Sequence, residues 1–362
     1  MKAAVVREYG TVEVEDIDVP EPGPRDVLVR VQASGICRSD ITALKGAVPV
    51  PLPLVLGHEG AGVVERVGTA VTSVEPGDHV VMTITNGCGL CFQCQRGARG
   101  LCELNAPRGL AGTMGDGSVK LSKAGEPVHH YLFQSSLAEY AVISETCAVN
   151  IRRDVPFETA ALLACGFSTG YGAVTRKAQL GPGENALVIG LGGVGLAVVM
   201  SARTAGASTV IGVDRSEAAC ALARELGATH TIVGAPDTDL AAEVRSLVAR
   251  GVDHAFDVVG TSETINAAFN SLRNGGQAVA IGLADLGAAA TVPVFSLIYE
   301  KTLTGVTNGS IRPHLDIPAA LDLHMNGQLP IDGLITRRYK IDDISTALHE
   351  LGSGGGRSVV LF

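Results

Sequence analysis

ALVIGLGGVGLAVVMSARTAGASTVIGVD, residues 186–214, runs through an apolar strand, a glycine-rich turn, a helix, a second strand and an acid in one unbroken pass. Ala186–Ile189 is short, apolar and bounded by glycine, as a buried strand should be. Gly190, Gly192 and Gly195 form G-x-G-x-x-G between that strand and the helical stretch from Val194 to Ala205, with Gly193 and Val194 completing the turn. In this context the first glycine permits the tight turn, the second lets a pyrophosphate approach the backbone, and the third lets helix and strand pack closely. The phosphates then face the positive end of the helix. Asp214 follows Gly195 by 19 residues at the end of the strand Thr209–Val213, where a carboxylate can accept from both ribose hydroxyls. The same charge repels a 2′-phosphate, so the expected cofactor is NAD. Arg215 could soften that preference, or it could be a solvated surface arginine.

Outward from this unit the alternation continues through Glu217–Leu226, Thr229–Val233, Leu240–Ala249, Ala255–Val259, Ser262–Leu272 and Gln277–Ile281. Strands alternating with helices at this spacing predict an α/β fold, a doubly wound parallel sheet of six strands. Residues 1 to about 150 have a different texture. Short strands such as Val27–Gln32, Ala61–Val67 and His79–Thr85 are separated by Pro-Gly turns at 22–23 and 76–77. The tail from about Asn308 returns to mixed structure and is expected to rejoin this mostly-β half. With 362 residues the chain suits two domains, placed at 1–166 with 307–362 and at 167–306. The polar, glycine-rich stretch 103–134 is long for a loop and reads either as a surface excursion or as a pocket wall or subunit contact.

Cys88, Cys91, Cys94 and Cys102 give C-x2-C-x2-C-x7-C, dense enough to close four thiolates around one tetrahedral zinc. Iron–sulfur ligation opens the same way, but its fourth cysteine follows after three residues and is trailed by proline. Here seven intervene and Glu103 follows. Four unrelated thiols would not gather half of the eight cysteines into this span. Cys37 and Cys165 lie far apart in sequence, and with His58 they could form a second site through the fold, one that keeps a position open for chemistry. Taken singly, each could instead be a buried thiol or a satisfied histidine. Cys147 and Cys220 read as small buried apolar residues.

Composition narrows the functional classes. A net charge of −9 with scattered basic residues offers no footprint for nucleic acid. The chain starts almost at once on a strand-like stretch, Lys2–Val6, with no secretory pattern, and no apolar run reaches the ~18 residues of a membrane span. A cytoplasmic, reducing compartment suits cysteines used as metal ligands.

GICRSD at 35–40, GHEGAG at 57–62, the four-cysteine lobe, CGFSTGYG at 165–172, GLGGVG and Asp214 closely resemble the zinc-dependent medium-chain alcohol dehydrogenases over the whole chain. TMGDG at 113–117 and VHH at 128–130, inside the long insertion, look most like the dimeric animal and plant type. The resemblance implies a GroES-like catalytic domain beside the Rossmann domain, two zinc ions per chain and a homodimer acting on a small alcohol or aldehyde. It also carries the residue roles. Cys37, His58 and Cys165 would bind the catalytic zinc, with Glu59 behind the metal as an occasional ligand and Asp40 orienting His58. Ser39 would take the alcohol proton, Arg38 and Arg357 would clamp the pyrophosphate, and Thr169 would lie beside the nicotinamide. The Cys2His set comes from the family and not from spacing. Relatives commonly end the proton relay at a histidine three residues after the serine, where this chain has Thr42. Slower oxidation near neutral pH is therefore expected.

By ungapped spacing, Val48 and Ile84 fall at pocket positions that relatives fill with bulkier residues, and Tyr131 and Leu132 come from the insertion. Such a pocket suits medium-chain, branched or aromatic primary alcohols. A thiol-adduct formaldehyde dehydrogenase is the rival; that branch usually has a basic residue shortly after the lobe, where Asn105 and Ala106 stand, with Arg108 close by. A non-catalytic NAD-binding zinc protein and a zinc-free enone reductase both sit poorly with a complete ligand set. The strand-like segment Ala290–Phe295, with the residues to Gly305, is expected to continue the sheet into a twin subunit.

Overall fold

The computed structural model describes every residue except 236–237, 285–286 and 352–354. Its nucleotide half is a six-stranded sheet ordered His230–Val233, Thr209–Asp214, Asn185–Ile189, Val252–Asp257, Leu272–Ala280, Thr302–Gly305, with every neighbouring pair parallel. The order reverses between Asn185–Ile189 and Val252–Asp257, which opens a crevice at the carboxyl ends of these central strands. Both central strands are buried almost throughout, and each connecting helix presents one apolar face to the sheet.

The other half is built on an antiparallel core of Ala148–Ile151, His79–Met82, Gly60–Val67 and Asp26–Ile36, extended by the C-terminal strand Arg357–Leu361 and by Ile335–Lys340. Arg357–Leu361 pairs antiparallel with Asp26–Ile36, so the tail does rejoin the first half. Glycine is required where these strands crowd. A side chain at Gly62 would strike the Arg30 carbonyl and one at Gly60 the Met82 side chain.

Two expectations need correction. Ala290–Phe295 is not a strand: Pro293 cannot donate to a ladder and starts a single helical turn at Val294–Leu297. The open edge of the sheet is Thr302–Gly305 instead. The stretch 103–134 is not a bare loop, since it contains the helix Asn105–Leu110 and the hairpin Leu121–Lys123/Glu126–Val128. Among the described residues no helix is long and apolar enough to cross a membrane.

Candidate active site and zinc lobe

Cys37 ends the long strand Asp26–Ile36 and caps the helix Arg38–Leu44, while His58 and Glu59 lead into the strand Gly60–Val67. Cys165 caps the helix Gly166–Gly172, far along the chain. The fold brings ligand atoms of Cys37, His58, Glu59 and Cys165 to within 4.8 Å of one another. Asp40 organises them. Wholly buried, it accepts from the Cys37 N–H at 2.9 Å, from the Gly57 N–H at 3.1 Å and from His58 Nδ1 at 3.1 Å. A carboxylate on Nδ1 fixes the proton there and leaves the Nε2 lone pair free. Nε2 is buried and has no hydrogen-bond partner among the described residues. An imidazole nitrogen left open beside two thiols fits a zinc ion.

The hydrogen bond with Cys165 holds the Cys37 sulfur well below the ordinary thiol range, and the same bond pushes Cys165 up. Burial raises Glu59 to about 7 against the pull of Arg357. Glu59 accepts from the Gly166 N–H at 3.0 Å and from the Arg357 guanidinium. Arg357 lies where a side chain at Gly193 would sit, so its stem touches the glycine turn while its head is held on Glu59. Arg38 is exposed and makes no side-chain ion pair among the described residues.

Ser39 is half-buried, with its Oγ 3.8 Å from the Cys37 sulfur. Tyr131 packs edge-on to the His58 ring at 5.4 Å and donates its hydroxyl to the Ser39 carbonyl at 2.7 Å. Val48, Tyr131 and Leu132 join one apolar cluster, whereas Ile84 stands apart beside Cys102, Ala106 and Phe133 at the base of the lobe. Leu132, Phe133 and Ser135 all have positive φ, at 47°, 67° and 55°. Buried bonds hold that backbone: Gln134 accepts from the Gly60 N–H and donates to the Met82 carbonyl, and Ser135 donates to Val55. No motif announced this stretch.

In the glycine turn, Gly190 adopts a φ of 93°, a side chain at Gly195 would overlap the Gly190 carbonyl, and Gly192 faces open space. Asp214 accepts from the Leu191 N–H at 2.8 Å and the Ser216 N–H at 2.9 Å, which aims its carboxylate across the turn. Arg215 is exposed. The helix Gly166–Gly172, carrying Thr169, meets the nucleotide helix through Gly170, where a Cβ would lie 2.7 Å from the Val194 carbonyl. Cys165 and the glycine turn are thereby set close together.

The four lobe sulfurs also lie within 4.8 Å of one another. Backbone N–H groups of Leu90 and Cys91 point at Cys88, and those of Cys88 and Asn105 at Cys102, at 3.3–3.4 Å. Hydrogen bonds from the Cys94 and Glu103 backbones lower Cys91 to about 6, while burial raises Cys94 to about 12. Four sulfurs this close ionise together only around a cation, which suits zinc.

Comparison with known proteins agrees with this architecture. Residues 23–153 match the alcohol dehydrogenase GroES-like domain and residues 193–325 the zinc-binding dehydrogenase domain. The S-(hydroxymethyl)glutathione dehydrogenase of Paracoccus denitrificans is 36% identical over all of this chain and 99% of its own length. The chain belongs to the zinc-dependent medium-chain alcohol dehydrogenases. The geraniol dehydrogenase of Castellaniella defragrans is 37% identical over 99% of this dehydrogenase and 97% of its own length. The crystal structure of benzyl alcohol dehydrogenase from Acinetobacter calcoaceticus superposes with a TM-score of 0.94 at 33% identity, covering 100% of this chain and 99% of the other. The dehydrogenase is thus an oxidoreductase of the zinc- and nicotinamide-dependent class, with a GroES-like and a Rossmann half.

Proposed function

We propose that the dehydrogenase reversibly oxidises apolar primary alcohols, medium-chain, branched or aromatic, to aldehydes with NAD. The observation that carries this is the orphaned Nε2 of His58 between Cys37 and Cys165, with the Ser39 hydroxyl beside them. Cys37, His58 and Cys165 would hold one zinc, with Glu59 in reserve, and Cys88, Cys91, Cys94 and Cys102 the other. Bound there, zinc would supply Lewis acidity to the substrate oxygen and a nicotinamide would supply the hydride acceptor. Asp40 keeps His58 in the ligating tautomer. Ser39 takes the proton of the substrate hydroxyl at its Oγ and passes it outward. Gly190, Gly192, Gly193, Val194 and Gly195 receive the pyrophosphate, with Arg38 and Arg357 as counter-charges, and Thr169 flanks the nicotinamide. Asp214 receives the ribose hydroxyls, so Asp214→Gly should raise NADP use while weakening NAD. We assign residues 1–166 with 307–362 to the catalytic domain and 167–306 to the nucleotide domain, and place the protein in the cytoplasm, where thiolate ligands stay reduced.

Apolar substrates are our reading of Val48, Tyr131 and Leu132, which pack in one apolar cluster near His58, while Ile84 stands apart from them. The relatives' names keep the glutathione adduct of formaldehyde as a second reading. Against it, the Arg108 guanidinium is engaged by the Gly115 carbonyl. Turnover with benzyl, branched and medium-chain alcohols, against formaldehyde with and without added glutathione, separates the two. Activity that depends on glutathione would overturn the first.

A further inference from the structure

Asn308 lies on the return crossover from the parallel sheet, just after the edge strand Thr302–Gly305, and no motif singles it out. Its carboxamide makes two side-chain bonds in opposite directions. Oδ1 accepts from the Thr169 hydroxyl at 3.1 Å, and Nδ2 donates to the Thr85 hydroxyl at 2.5 Å. Thr85 is buried just beyond the strand His79–Met82, next to Ile84, whereas Thr169 is half-buried on the helix capped by Cys165.

The backbone beneath this bridge is held in an uncommon shape. Asn308, Gly309 and Ser310 have φ of 46°, 65° and 53°, three left-handed residues in succession. Two of them are not glycine, and asparagine tolerates that region better than most residues. A Cβ on Gly309 would lie 2.6 Å from the Ser168 carbonyl and 2.7 Å from that of Thr169, so the turn is seated directly on the helix. Residues held in this way have to be over-determined by their surroundings. Here the two threonine bonds help to do that.

We propose that Asn308 is a positioning residue for hydride transfer, clasping the nicotinamide side of the cleft at Thr169 to the GroES-like half at Thr85. This rests on the reading that Thr169 flanks the nicotinamide. Because Thr169 donates its hydroxyl proton to Asn308, the hydroxyl presents only lone pairs elsewhere and its rotamer is fixed. Thr85 does not face the nicotinamide by this reading, yet through Asn308 it bears on the same hydroxyl.

The test combines Asn308→Gly, which removes the carboxamide while keeping left-handed backbone accessible, with Thr85→Val, Thr169→Val and Asn308→Asp. In single turnover with deuterated alcohol, Asn308→Gly and Thr85→Val should each slow hydride transfer, by about ten- to a hundredfold for the first. Their double variant should be no slower than Asn308→Gly alone, because both break one bridge. Asn308→Asp, able to accept from both hydroxyls, should retain most of the rate. In the cofactor-free protein, amide exchange over residues 306–311 should quicken in Asn308→Gly and Thr85→Val but not in Asn308→Asp. Unchanged hydride transfer in Asn308→Gly, or effects of Asn308→Gly and Thr85→Val that simply multiply, would overturn the clasp. If Thr169→Val slows the step while Asn308→Gly does not, the clasp alone fails. If Thr169→Val changes neither hydride transfer nor NADH binding, the placement of the nicotinamide fails with it.

Discussion

Thr42 commits its hydroxyl to the Arg38 carbonyl at 3.1 Å, one turn back in its own helix, and so offers no titratable end to the proton path proposed from Ser39. Ser39→Ala should therefore cut alcohol oxidation by roughly 10²–10⁴-fold, the usual loss for a general acid–base group. Thr42→His should raise the hydride-transfer rate most between about pH 6 and 8, where imidazole titrates, measured by single turnover so that NADH release does not mask it. An unchanged pH profile in Thr42→His would mean the proton leaves elsewhere. His130 bears on the pH dependence of stability instead. It is wholly buried, accepts the Lys120 N–H on Nε2 at 3.0 Å, and burial pushes its pKa down to about 4. Its unfolded value is about 6.5, so the neutral ring's contribution is complete above that pH and is lost as pH falls toward 4, by about 3 kcal/mol at most. Melting temperature should fall less steeply between pH 6.5 and 4.5 in His130→Gln than in the wild type. The residues legible in the sequence were those in short, tightly spaced motifs, where cysteine and glycine have few other uses. Asn308 and the Tyr131 hydroxyl were not, because their partners lie 139 or more and 92 residues away respectively.

At the scale of elements, the lobe from Cys88 to Cys102 holds only the one-turn helix Phe92–Gln95 and a short 3-10 turn, too little secondary structure to persist alone. Its shape depends on whatever holds the four sulfurs together. Cys94→Ser should lower melting temperature more than it lowers turnover per folded molecule, and metal analysis should read two zinc ions in the wild type against one in the variant. A count of one in the intact active enzyme would refute the second site. The parallel strands were readable because strands buried on both faces must be continuously apolar. The segment Ala290–Phe295 misled for a related reason: its apolar residues suit a strand, but Pro293 removes the donor that pairing needs. The hairpin and helix within 103–134 gave little signal, being short and resting on packing from afar, as where Gly109 lies under Phe133.

For the molecule as a whole, the edge strand Thr302–Gly305 has one open side, and close to it in sequence Val294, Phe295 and Ile298 are 75%, 68% and 70% exposed. We propose that a second copy of the chain covers these exposed apolar residues. Light scattering should give a dimer at micromolar concentration, and Phe295→Asp with Ile298→Asp should shift it toward monomer. A wild-type monomer would overturn the assignment. The pairing of Asp26–Ile36 with Arg357–Leu361 has another consequence, for biosynthesis. The parallel sheet comes from the contiguous stretch 185–305 and can assemble while the ribosome is still at work. The mostly-β half cannot close until Arg357–Leu361 has been made, and with that strand comes Arg357, the partner of Glu59 298 residues earlier. Completion of the Cys37, His58 and Cys165 pocket therefore waits for that late strand, whereas the four lobe cysteines all lie between Cys88 and Cys102 and need no residue so distant.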